Sequence, residues 1–104
     1  MTLDFFYENY DLEDLEVKSA FVKNNRLVLD VIVVANLELI ANGYRPEMDV
    51  EHEIEFSFGY NSADLVIDSP IINGSSYSDG TLLITVNDRI YKINDNNVIV
   101  TQKE

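Results

Sequence analysis

Hydrophobic and polar residues alternate along most of the chain, and the alternation has the period of a β-strand. The longest run covers residues 26–41, where every second residue from Leu27 onward is apolar. A straight strand of that length would span about 45–50 Å at about 3.3 Å per residue, which exceeds the usual strand length. We therefore expect a bend or bulge near Ala35-Asn36, or a short helix over the second half of the run.

The segment before this run has the same period. Residues 15–23 predict a strand that can bury Leu15, Val17 and Phe21. Asn24-Asn25 then separates the two runs, and asparagine tolerates the left-handed backbone that a tight hairpin turn requires. The two strands are therefore expected to pair as an antiparallel hairpin.

The segment after the run, residues 50–60, alternates throughout. One face is apolar, apart from the histidine it carries, and runs from Val50 to Tyr60, whereas the other face carries Glu51, Glu53 and Glu55. This pattern is typical of a half-buried strand in an antiparallel sheet.

The remaining segments complete an all-β prediction. Residues 63–69 read as a strand ended by Pro70, residues 72–80 as a polar, mobile loop, and residues 81–102 as three short strands with turns at Asn87-Asp88 and 94–97. Only residues 2–10 favour a short N-terminal helix. We predict one antiparallel domain over residues 1–104, either sandwich-like or an open barrel.

The net charge of the chain indicates more about its possible partners than its overall composition does. Hydrophobic residues make up 46% of the 104 residues, but 19 acidic residues face 7 basic ones, so the net charge is −12. No Lys or Arg occurs from Pro46 to Asp88. Such a negative field disfavours nucleic acid and anionic membranes as partners, and it favours a basic macromolecule or a cation. The alternative is that the acidity only keeps the protein soluble.

Three further features bear on the compartment. The chain has no cysteine, which excludes disulfides and thiolate chemistry. Its first residues lack the basic start and apolar middle of a secretion signal. Its longest apolar run, residues 31–35, is too short to span a membrane. These features predict a cytoplasmic protein.

Catalytic and metal-binding patterns are weak. Glu51, Glu53 and Glu55 are spaced at about 6–7 Å, which suits glycoside chemistry, but they lie opposite the apolar face and are expected to be solvated. His52, the only histidine, shares the apolar face, so we expect it to pack in the core or at its rim. Residues 87–98 lack the Gly and Glu of an EF-hand calcium loop. We predict no catalytic residue, no metal site and no cofactor.

The remaining candidate for a functional site is acidic surface, and the acidic residues form two arrays. The first array is flanked by two tyrosines, and the second lies on one strand face. The candidates for partner binding are Tyr7, Tyr10, Asp11, Glu13, Asp14 and Glu16 for the first array, and Glu51, Glu53 and Glu55 for the second. Tyrosine is enriched at binding hot spots, and carboxylates match Arg and Lys of a basic partner. We expect the first array to matter more, although the acid-rich first turn of a helix would also explain it.

Three stretches carry a resemblance to a known family. "DLEDLEVKSAFVKNNRLVLDVIVV" (residues 11–34), "GYRPEMDVEHEIEFSF" (43–58) and "ADLVID" (63–68) together resemble small all-β immunity proteins of bacterial polymorphic toxin systems. Asp14, Glu16 and Val17 match the His-Asp-x-Glu-hydrophobic start of that pattern, and Glu13 stands at the histidine position. The resemblance implies a protein that blocks a cognate toxin by binding, without catalysis of its own.

These observations predict a non-catalytic acidic binding protein with a basic protein partner. An immunity-type inhibitor of a basic toxin is the leading interpretation. A structural or self-associating β domain, which would form a homodimer, is the first alternative, and a metal-dependent or hydrolytic enzyme is the second.

Overall fold

The computed structural model describes residues 1–32 and 51–102, apart from the side chain of Asp14. The described residues form a short α-helix, a 3₁₀ helix and eight strands. The helices are α1 (Leu3–Asn9) and the 3₁₀ helix (Leu12–Asp14), and the strands are β1 (Glu16–Lys23), β2 (Arg26–Ile32), β3 (Glu51–Ser57), β4 (Leu65–Ile67), β5 (Ile72–Ser78), β6 (Thr81–Val86), β7 (Arg89–Ile93) and β8 (Val98–Gln102).

The strands form two antiparallel sheets. The larger sheet has the order β4-β1-β2-β3-β8, and the smaller one has the order β5-β6-β7. Over residues 1–32 and 51–102 no sheet closes into a barrel. The all-β prediction with sandwich-like antiparallel sheets is therefore confirmed.

One hydrophobic core joins both sheets and α1. Phe6 of α1 packs edge-on against Phe56 of β3, with ring centroids 5.1 Å apart. Leu82 and Ile84 of β6 contribute to the same core from the smaller sheet, and each is fully buried. The helix thus contacts the larger sheet through an aromatic pair, a geometry that adds to simple area burial.

The N-terminal helix confirms the helical prediction for the first residues. Thr2 caps it, because its hydroxyl accepts a hydrogen bond from the Phe5 backbone N–H at 3.1 Å. The chain before the cap is tied to β8 by two backbone hydrogen bonds. The Met1 ammonium donates to the Val98 carbonyl at 2.6 Å, and the Val98 N–H donates to the Met1 carbonyl at 2.8 Å.

The predicted hairpin turns are present. Asn24 and Asn25 have φ values of 54° and 61°, and Asn87 and Asp88 have φ values of 50° and 66°. Left-handed backbone at both central residues is the conformation that a two-residue hairpin requires. The first turn joins β1 to β2 and the second joins β6 to β7.

The prediction of a mobile polar loop at residues 72–80 is wrong, because this segment forms β5 and its turn. β5 pairs along its length with the apolar strand β6, and Tyr77 lies opposite the buried Leu82. Asp79 and Gly80 make the connecting turn, with φ values of 51° and 77°. Backbone pairing with an apolar neighbour therefore outweighs the serine-rich composition of the segment.

The prediction that Phe21 belongs to the buried face of β1 is also wrong. The pairing register of β1 with β2 shifts after Val17, as it does at a β-bulge. Leu15 and Val17 pack against the core as predicted, but beyond the bulge Ala20 and Val22 are buried there instead. Phe21 consequently lies on the opposite face of the sheet.

β3 has the predicted alternation. His52, Ile54 and Phe56 are buried, with His52 only 4% exposed, and the glutamates between them face the other way. Tyr60, predicted on the apolar face, is 45% exposed, since the chain turns at Gly59 with φ of 74°. β2 forms the first part of the long apolar run, and the predicted bend at residues 35–36 lies outside the described residues.

Candidate functional site

The larger sheet has an outer face that points away from the core. We define this outer face by the residues of β1, β2 and β3 that alternate with the buried ones. Its carboxylates are Glu16, Asp30, Glu51, Glu53 and Glu55. It therefore contains the whole second array, one residue of the first array and one aspartate that belongs to neither.

Asp30 and Glu53 are directly opposite each other on β2 and β3. Cα atoms of such pairs are about 4.5–5.5 Å apart, and like charges in this position are destabilising. On its other side, Asp30 accepts a hydrogen bond from the Ser19 hydroxyl at 2.7 Å. Two acidic side chains are thus held close together in the middle of the outer face.

Glu16 joins the second array through the sheet register. Ile32 of β2 pairs with Glu16 of β1 on one side and with Glu51 of β3 on the other. The Cα atoms of the two glutamates are therefore two strand spacings apart, about 9–10 Å. Residues that are 35 positions apart in the sequence become neighbours on one surface.

Asp30 is the residue that sequence reasoning missed. The signal was present, because Asp30 is the charged residue inside the apolar run of β2, at a position where the alternation points away from the core. Its proximity to Glu53 depends on the pairing of β2 with β3. The alternation within one strand does not indicate which other strand pairs with it.

Basic side chains lie mostly at the other end of the outer face. Lys23 and Arg26 flank the β1–β2 turn, and Arg26 forms an ion pair with Glu55 at 3.2 Å. Lys18, at the bulge, forms an ion pair with Glu16, also at 3.2 Å. All four side chains of these pairs are partly exposed, so each pair contributes little to stability. The outer face thus changes from basic to acidic along the strands.

An apolar row separates the two ends. Phe21 of β1 lies between Val28 of β2 and Val66 of β4, and Val66 is 75% exposed. An open depression of about 290 Å³ is lined by Phe21 and Val28, and Val28 is 4% exposed. The other residues of its lining are Lys23, Asn24, Arg26, Glu53 and Glu55.

The first array is divided by the fold. Asp11 and Glu13 are exposed at the 3₁₀ helix, beside the smaller sheet, and Asp14 ends that helix. Glu13 Oε1 accepts a hydrogen bond from the Ser75 hydroxyl of β5 at 2.9 Å. Partial burial raises the pKa of the Glu13 carboxyl, but hydrogen bonds with Ser75, with its own backbone and with Asp11 lower it, so the pKa lies below its ordinary value.

The two tyrosines have different positions. Tyr7 is 37% exposed and stacks on Tyr77 of β5, with ring centroids 5.8 Å apart. Tyr10 is only 3% exposed and stacks on Phe6 in the core at 4.8 Å. The Tyr10 ring is therefore part of the core, whereas the Tyr7 ring lies at the surface.

Residues 1–32 and 51–102 contain no group of three or more His, Cys, Asp and Glu side chains arranged to hold a metal ion. No helix within them is both long enough and apolar enough to cross a membrane. His52 packs on the core face of β3, as predicted from its apolar neighbours.

Comparisons of the chain with protein-family models, with curated proteins and with solved structures find no match.

Proposed function

We propose that this protein is a non-catalytic binding protein that neutralises a basic protein partner, as an immunity protein neutralises its cognate toxin. The resemblance to small all-β immunity proteins supplies the class of partner. The outer face of the larger sheet supplies the binding surface.

The observation that supports this function best is the placement of Asp30 opposite Glu53. Two carboxylates at facing positions of neighbouring strands concentrate negative charge on the outer face. Arg or Lys side chains of a partner that docks on this face can form charge-assisted hydrogen bonds with these carboxylates.

The outer face is favoured over the first array for a structural reason. Glu13 lies beside the smaller sheet, where it contacts Ser75, and the Tyr10 ring is buried. Glu16, in contrast, extends the second array across two strand spacings on the outer face. The carboxylates best placed to contact a partner together are those on the larger sheet.

The net charge of −12 supports the same function. A negative field accelerates encounter with a basic protein and disfavours acidic competitors. A toxin that acts on nucleic acid would itself carry a basic surface. Such a toxin is the partner we expect.

Co-expression tests the proposal. The product of the reading frame adjacent to the gene is expressed alone, with the wild-type chain, and with a Glu16→Gln/Glu51→Gln/Glu53→Gln variant. Growth arrest by the product alone, rescue by the wild-type chain and weaker rescue by the variant are expected.

A Glu8→Gln/Asp79→Asn variant serves as the control, because both carboxylates are exposed and lie on α1 and in the turn after β5, away from the larger sheet. It should rescue growth like the wild type. Growth arrest that the wild-type chain does not relieve, or equal rescue by all variants, would contradict the proposal.

A further inference from the structure

We infer that the depression beside Phe21 and Val28 receives one aromatic or branched aliphatic side chain of the basic partner, and that Arg or Lys side chains next to this anchor contact Glu53 and Glu51. This inference rests on the proposed function and specifies the chemistry of the partner segment.

The lining of the depression combines apolar with polar and charged side chains. Phe21 is half-buried and Val28 is 4% exposed. The other lining residues are Lys23, Asn24, Arg26, Glu53 and Glu55, with an ion pair between Arg26 and Glu55. An apolar hot-spot side chain surrounded by polar contacts is typical of protein interfaces.

The two apolar side chains of the lining, Phe21 and Val28, favour an apolar group of the partner, because the removal of apolar surface from water stabilises a contact.

Apolar surface continues on both sides of the depression. Val66 pairs with Phe21 and is 75% exposed, and Ile99 pairs with Glu55 and is 38% exposed. These side chains extend the contact for the anchor residue across the sheet. The Arg or Lys side chains of the partner contact Glu53 and Glu51, which lie further along the strands.

The register defines the spacing of the partner residues. From Val28 to the Asp30–Glu53 pair is one step of two residues, and from there to Ile32 and Glu51 is another. Each step is about 6.5 Å along a strand. An extended partner segment that runs along β2 and β3 therefore places its anchor at one position and its basic residues two and four positions away.

Defined peptides test this inference without the whole partner. The probes are acetyl-Tyr-Thr-Arg-Thr-Arg-amide and its reversed sequence, added to ¹⁵N-labelled protein. With at least one of the two peptides, we expect chemical-shift changes of the backbone amide NMR signals of Phe21, Val28, Glu53 and Glu55. Replacing the tyrosine by alanine, or both arginines by the uncharged isostere citrulline, should weaken binding at least fivefold.

Protein variants locate the anchor. Phe21→Ala should weaken binding of the peptide at least fivefold, and Val28→Thr, which keeps the shape of the side chain, should weaken it in the same direction. Ile90→Thr is the matched control, since Ile90 is 64% exposed on the smaller sheet. Each variant is compared only after its thermal unfolding shows that it is folded.

Equal binding of the tyrosine and alanine peptides, shifts confined to other surfaces, or no binding of either sequence would overturn the inference. None of these results would alter the growth-rescue test, which uses the whole partner. A wrong inference about the partner segment can therefore be distinguished from a wrong proposed function.

Discussion

Glu13 Oε1 and the Ser75 hydroxyl, 62 positions apart in the chain, form a 2.9 Å hydrogen bond that joins the 3₁₀ helix to β5. This bond is one reason why the pKa of Glu13 lies below its ordinary value of 4.5. A carboxyl whose pKa is lower in the folded state stabilises the fold above its unfolded pKa, and this contribution disappears as the pH falls through the folded pKa.

We expect Ser75→Ala to raise the pKa of Glu13 and to lower stability at pH 7 more than at a pH well below 4.5. The hydrogen bond is exposed, so the loss at pH 7 should be about 0.5 kcal/mol, near the lower limit for such bonds. NMR titration of the Glu13 carboxyl and urea unfolding at both pH values measure the two effects. Ser76→Ala, on the other face of β5, should change neither quantity, and an unchanged Glu13 pKa in Ser75→Ala would contradict the assignment.

Truncation of His52 should reduce stability without affecting partner binding. His52 is 4% exposed on the core face of β3, so His52→Ala leaves a cavity there and should cost about 1–3 kcal/mol. Thermal and chemical unfolding measure this cost. Glu51→Ala, the preceding residue on the outer side, should cost less. Unchanged stability together with lost binding would identify His52 as a functional residue.

Asn25 should contribute both through its backbone and through its side chain. Its φ is 61°, and its Oδ1 accepts a hydrogen bond from the Ser62 N–H at 2.8 Å. Asn25→Gly keeps the left-handed backbone and should lose about 1 kcal/mol for the hydrogen bond. Asn25→Ala also adds about 1–2 kcal/mol of backbone strain. Urea unfolding of both variants separates the two contributions, and equal losses would mean that the turn relaxes.

Association with a basic partner should depend on the outer face more than on the rest of the first array. The rate constant should fall as salt rises, since screening acts over a Debye length of about 8 Å near physiological ionic strength. Glu16→Gln/Glu51→Gln/Glu53→Gln should flatten this dependence, whereas Asp11→Asn/Glu13→Gln should leave it nearly unchanged. Stopped-flow measurements at two salt concentrations test both variants. If neither variant alters the rate, the acidity serves only solubility.

The local sequence pattern was sufficient to predict the strands in which apolar and polar residues alternate without interruption. In β3 the apolar positions from His52 to Phe56 are buried and the glutamates face outward, as a period of two requires. The turns at Asn24-Asn25 and Asn87-Asp88 were equally predictable, because few residue types tolerate positive φ. In β5, the Asp79-Gly80 dipeptide was a hairpin signal that the serine-rich composition concealed.

Tertiary structure alone decided which residues share a surface. The bulge after Val17 turned Phe21 outward, since one extra residue reverses the alternation of everything that follows. Packing against Phe6 buried Tyr10, which composition had suggested was surface. Pairing across β1, β2 and β3 brought Glu16 beside Glu51. Local pattern determines which side of its own strand a residue occupies, whereas the neighbours of that side depend on the register between strands that are distant in sequence.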